Sequence, residues 1–239
     1  MNSVIDSVIA SRRLKIFTAY YAIIYVVFNL LLNLLSAGVP FFKESMGRVV
    51  YVLIVATVGA PFTYGLIRGL VKKDYNVKKG LGAYSETGNY LTYGIYIAVT
   101  VAHEALGAAI NAGGTANKDN AVLWTVLSAA LTILKFFINM FVIRLFLDGA
   151  ENGGRASFMR TLRACGRLLS TKPLKFIGAE AFWLVIGGAS MVISTMLAGL
   201  LPAHTAVSLV VASLNSVQYG FIILSWPVYY LYYRWAFEE

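Results

Sequence analysis

The sequence predicts an all-α, polytopic membrane protein: one domain of six transmembrane helices over residues 1–239. Short cytosolic amphipathic helices are expected between spans two and three and between spans four and five. Three observations carry this reading. Of the 239 residues 59% are hydrophobic and only 13% charged, with a mean hydropathy of +0.70. A water-facing surface needs more charge than that, whereas a lipid-facing surface does not. Six apolar runs reach the roughly 20 residues that a bilayer crossing demands. The basic residues, finally, fall overwhelmingly on alternate loops.

The spans follow in order. Ile16–Leu35 is uncharged, follows Arg12, Arg13 and Lys15, and is too long for the apolar region of a cleavable signal, so it reads as a span. The second runs from about Val49 to Ile67, with Pro61 expected to kink it. The third, Tyr90–Ile110, carries His103 and Glu104; the fourth, Ala121–Leu147, carries Lys135, Asn139 and Arg144. The fifth, Phe176–Leu200, has Glu180 near its start. The sixth, Thr205–Tyr233, ends in YYLYYRW, which reads as an aromatic belt at the membrane interface.

Orientation comes from the basic residues. With the N-terminus inside, sixteen Lys and Arg lie on the cytosolic side and three (Lys43, Arg48, Lys118) outside, with Lys135 inside a span. Positive charge is retained in the cytosol, so both termini are expected there, in the cell membrane. A net charge of +9 would suggest nucleic acid in a soluble chain. Here the charges sit beside apolar runs, and anionic headgroups are the better partner.

The longest polar interruption is Arg144–Lys175, with seven basic residues: Arg144, Arg155, Arg160, Arg163, Arg167, Lys172 and Lys175. At 3.6 residues per turn, Phe158, Leu162, Cys165 and Leu169 share one face and Arg160, Arg163 and Arg167 the opposite one. That is the pattern of a helix lying in a membrane interface or against a partner. Val77, Leu81 and Tyr84, with Lys78 and Lys79 among them, repeat the spacing after the second span. Spans two and three therefore read either as a weak repeat of spans four and five or as two inner loops obeying one topology rule.

The runs GAPFTYGLIRGLVKKDYNVKKGLGAY, FMRTLRACGRLLSTKPLKFIGAEAF and WPVYYLYYRW resemble an uncharacterised family of six-span bacterial integral-membrane proteins. That family is similar to the membrane domain attached to some glycerophosphodiester phosphodiesterases. The resemblance covers most of the chain from Gly59 onward. It implies fold and location, and no catalytic residues, because the hydrolase domain is absent from this sequence.

Motifs for catalysis mostly fail. His103-Glu104 opens a zinc-protease HExxH, but Gly107 stands at the second ligand position, and the other histidine, His204, lies far along the chain. With one cysteine, Cys165, no intramolecular disulfide and no zinc site is expected; a small apolar role for Cys165 outranks a reactive thiol. Asp148-Gly149-Ala150 with Gly154-Arg155 resembles the start of the CDP-alcohol phosphotransferase signature. That chemistry needs further aspartates downstream, and no carboxylate lies between Glu151 and Glu180. No enzyme, no metal and no cofactor is expected.

Two groups of residues remain as candidate sites. Arg155, Arg160, Arg163, Arg167, Lys78 and Lys79 would bind membrane lipid or a cytosolic or membrane protein partner. His103, Glu104, Lys135 and Asn139 form an intramembrane polar set, read either as the wall of a cavity or as a structural Glu104–Lys135 ion pair. Glu180 and Arg144 are expected to form an interfacial ion pair. The function predicted is non-catalytic binding through the basic inner loops. The alternative is a small permease with a polar path near Glu104 and Lys135.

Overall fold

Ser11 begins the first helix by taking the Leu14 amide on its side chain at 3.2 Å, satisfying one of the donors that a helix start leaves open. The computed structural model describes residues 11–82, 87–116, 120–199 and 224–238, and the structural statements that follow concern these. They are all-helical. Helix α1 spans Arg12–Gly38, α2 Ser45–Lys72, α3 Val77–Leu81, α4 Tyr90–Ala116, α5 Ala121–Glu151, α6 Phe158–Thr171 and α7 Pro173–Gly199. The last, α8, covers 224–238. Four of them (α1, α2, α4 and α5) are long and apolar enough to cross a membrane.

Several expectations about the elements change. Helix α2 begins at Ser45, ahead of the predicted Val49, continues to Lys72 and contains Pro61. The predicted loop at 36–48 is largely helical, because α1 extends to Gly38 and a 3-10 turn covers Pro40–Lys43. The inner helices of the two proposed repeat units differ in length, five residues in α3 against fourteen in α6. The readings placed on Tyr84, Lys118, His204 and most of the sixth span lie outside the described residues.

The fully buried side chains gather at one end of the bundle. Leu14, Phe17 and Tyr21 at the start of α1 meet Leu66, Ile67 and Leu70 near the end of α2. Leu145, Phe146 and Leu147 at the end of α5 join them, with Cys165 and Leu168 of α6 and Tyr233 and Ala236 of α8. Farther along the same helices, Ile23, Val27, Leu31, Val122 and Val126 are exposed. An apolar surface facing hydrocarbon gains nothing by turning inward, so tight apolar packing is most rewarded where water is near.

Close backbone approach makes this end compact. Gly65 of α2 and Gly80 of α3 face one another with the Tyr21 hydroxyl of α1 beside them, and a Cβ on either glycine would collide with the other's backbone or with that hydroxyl. The Tyr21 ring also packs on Phe17 and Phe62, each at 4.8 Å between centroids. The turn between α5 and α6 depends on a second kind of glycine. Gly154 has φ of +97°, and a Cβ there would also run into the Asn89 side chain. Gly154→Ala therefore costs about 1–2 kcal/mol for the backbone alone. The melting temperature of the detergent-solubilised protein is expected to fall, and an unchanged melting temperature would show that this turn is not strained.

Candidate functional site

The turn after α5 is built around Asp148. This carboxylate is only 1% exposed, and three donors surround it. The Ser157 amide reaches Oδ2 at 2.8 Å, the Asn152 side-chain amide reaches Oδ1 at 3.0 Å, and the Arg160 guanidinium Nε lies 3.1 Å from Oδ1. From α4, the Thr92 hydroxyl donates to the Gly154 carbonyl at 2.8 Å and accepts the Ala156 amide at 3.3 Å. A buried charge survives only when donors of this kind replace its water. The clamp holds Ser157 where it caps α6, accepting the Arg160 amide at 3.4 Å.

This fixes the rotation of α6, and the buried side differs from the one predicted. Thr161, Cys165 and Leu168 face inward, whereas Phe158 is 46% and Leu162 50% exposed. Pulling Arg160 onto Asp148 turns the helix about its axis, leaving Phe158, Met159 and Leu162 on an outer apolar strip. Arg160, expected on the free basic face, is thus partly committed to structure.

Arg163 and Arg167 lie with Arg160 in a cavity of about 690 Å³, together with Arg144, Lys172 and the α8 residues Phe237 and Glu238. Two of the five basic side chains have carboxylate partners: Arg160 on Asp148, and Arg144 on Glu151 at 3.6 Å. Arg163, Arg167 and Lys172 have no ion pair among the described residues, and the buried Arg144 Nε has no hydrogen-bond partner there. The cavity therefore carries surplus positive charge. Arg155 is exposed on the turn, outside its lining. Lys78 and Lys79 are also exposed and away from it, and Lys79 is bound to Asp74 at 2.9 Å.

The expected Glu180–Arg144 pair does not form. Glu180 is buried and accepts hydrogen bonds from the Tyr229 hydroxyl at 2.9 Å and the Tyr233 hydroxyl at 2.5 Å. Arg144 lies over the Phe237 ring, 5.3 Å from its centroid, and Phe237 stacks on Tyr233. The aromatic side of α8 thus stands between the two charges and gives each its own partner. Tyr229, Tyr230 and Tyr233, read from sequence as an interfacial belt, are buried instead.

The intramembrane polar set does come together. His103, Glu104, Lys135 and Asn139 all line a second cavity of about 360 Å³. Glu104 pairs with Arg48 at 3.2 Å rather than with Lys135. The physical reason is packing, since α2, which carries Arg48, contacts α4 more extensively than α5 does. The His103 ring nitrogen Nε2 lies 3.3 Å from the Leu131 carbonyl. The cavity wall is aromatic, with Tyr25, Tyr96, Trp183, Trp226, Tyr229 and Tyr230.

Comparison with protein-family models, with curated proteins and with solved structures finds no match for this chain.

Sequence reasoning missed Asp148 as a structural residue, having weighed it only as a metal ligand. The signal was present in Asp148-x₈-Ser157-x₂-Arg160, an acid followed by a cap residue and a base across one turn. It also missed the tyrosines as partners of Glu180.

Cys165 faces the packed side of α6, and burial pushes its thiol up to about 12, only partly offset by the Arg144 charge. A thiol of ordinary pKa is several per cent thiolate near neutral pH, and Cys165 holds far less. Maleimide at pH 7.5 is expected to label the folded protein at least tenfold more slowly than the denatured chain. Equal rates would mean that this face of α6 is open.

Proposed function

We propose that this chain is a six-span cell-membrane protein with both termini in the cytosol, and that its α6 cavity binds the phosphate headgroup of anionic phospholipid. The observation that carries the reading is the cavity itself, where Arg163, Arg167 and Lys172 stand beside Arg144 without a carboxylate partner among the described residues. Helix α7 and the segment ending in α8 supply the fifth and sixth spans. The sixteen-to-three bias of basic residues supports placing this end of the bundle in the cytosol.

Lipid is favoured over a protein partner by the other side of α6. The exposed Leu162 lines an apolar groove with Cys165 and Leu169 of α6 and Phe137 and Phe141 of α5, and the exposed Phe158 ring packs on Phe141 at 5.2 Å between centroids. A helix with an apolar strip beside a spanning helix, and guanidinium groups on the opposite side, suits the boundary between acyl chains and phosphates. The role proposed is binding rather than catalysis. The resemblance to six-span proteins similar to glycerophosphodiester phosphodiesterase membrane domains belongs to the same proposal, since it implies membrane location and no catalytic residue in this part.

Native mass spectrometry in mild detergent tests this. Dioctanoyl phosphatidylglycerol is expected to stay bound in preference to dioctanoyl phosphatidylcholine. The triple change Arg163→Gln, Arg167→Gln, Lys172→Gln should weaken retention of the anionic lipid roughly tenfold to a hundredfold, given the contribution of each basic residue near an anionic surface. Arg160 is left in place because Asp148 needs it. Equal retention of both lipids by the unaltered protein, or no change in the triple variant, would contradict the reading.

A further inference from the structure

The second cavity has chemistry that the lipid-binding reading does not use. Lys135 lies fourteen residues into α5, about 21 Å along the helix axis and deep in its apolar stretch. A charge at that depth is normally paired. Lys135 forms no ion pair among the described residues, because Glu104, the acidic side chain in the cavity lining, is held by Arg48. The cavity lining thus holds one acid already paired and one ammonium without an ion pair among the described residues, while Glu180 lies behind the wall against Tyr229 and Asn139.

Around that ammonium the lining is of two kinds. Asn139, one turn beyond Lys135, stands at the same wall with its side chain beside Glu180, and His103 brings its ring from α4. The rest is aromatic: Trp183 stacks on Tyr229 at 5.0 Å between centroids, and Trp226 meets Tyr25 edge-on at 5.6 Å. Sites for small molecules combine such apolar walls with a few polar groups that fix orientation. One uncompensated positive charge matches one negative charge. A cation would be repelled by Lys135, and a dianion would leave a charge of its own unpaired in the membrane.

We infer that the cavity between Lys135 and the Trp183–Trp226 aromatic wall is a binding site for a small organic monocarboxylate with an aromatic or aliphatic body. Its carboxylate takes the place of the missing counter-ion at Lys135. The hydrocarbon part lies against the indole and phenol rings. The site is independent of the basic cavity at α6.

Tryptophan fluorescence reads occupancy directly, since Trp183 and Trp226 line the site. The full-length protein in detergent is titrated with 4-bromobenzoate, whose bromine quenches nearby indoles, and in parallel with the neutral 4-bromobenzyl alcohol. Saturable quenching by the carboxylate, reversed by unbrominated benzoate, is the expected result. The alcohol should give only the linear quenching of partition into the micelle. Lys135→Met should weaken the saturable phase by roughly tenfold or more, the scale of one charge-assisted interaction. Lys135→Arg should retain it, and so should Arg163→Gln with Arg167→Gln, which separates this site from the basic cavity. Linear quenching that benzoate does not relieve, or equal behaviour of carboxylate and alcohol, overturns the proposal. An unaltered response in Lys135→Met does so as well. If Lys135→Met does not yield monodisperse protein, the carboxylate preference and its reversal in the unaltered chain decide the matter.

Discussion

A carboxylate withdrawn from water costs free energy until donors replace its hydration, and the charged end of this bundle is arranged to supply them to Asp148. The three groups that do so belong to different parts of the turn and the next helix: Asn152 on the turn, the Ser157 amide at the helix cap, and Arg160 in its first turn. Satisfying one acid therefore fixes where α6 starts and how it is rotated. Thr92 ties the same turn to α4, so the spanning helices and α6 share one frame. The rest follows from that rotation. Arg163 and Arg167 turn towards α8, Cys165 goes inside, and Phe158 and Leu162 are left at the rim.

Helix α8 completes the arrangement by keeping opposite charges apart. With Tyr233 on Glu180 and Phe237 on Arg144, no direct pair forms to neutralise the cation. Among the described residues Arg144 keeps a longer contact with Glu151, and its buried Nε has no hydrogen-bond partner. A direct Glu180–Arg144 bridge would have removed charge from the basic cavity. The aromatic helix thus has an electrostatic consequence that its sequence, read as a membrane-interface belt, did not suggest. The central cavity follows the same logic with different residues, since Arg48 takes Glu104 and Lys135 has no ion pair among the described residues.

Much of this was legible in the sequence because lipid imposes simple rules. The apolar runs at 16–35, 49–67, 90–110 and 121–147 each fall inside a long helix, since length and hydropathy alone determine such segments. His103, Glu104, Lys135 and Asn139 could be grouped because polar residues inside spans turn away from hydrocarbon. Pairings were not legible. Arg144 and Glu180 lie at matching depths, and depth was the sole guide available. Which neighbour intervenes depends on the rotation of α8, which no periodicity reports for a segment aromatic on nearly every side. The buried side of α6 was misjudged for a related reason. Helical periodicity ranks faces by apolarity, but here one buried acid outweighs two apolar side chains in setting the rotation.

The most direct measurement of this account is a double-mutant cycle on Asp148 and Arg160, read as unfolding free energy in detergent for Asp148→Asn, Arg160→Gln and the pair. If the carboxylate holds α6 through Arg160, the two changes are coupled by about 1.5–3 kcal/mol, the range of a hydrogen bond to a charged group. Additive effects, with coupling indistinguishable from zero, would mean that something else sets the rotation of α6. The arrangement of the basic cavity would then need another cause.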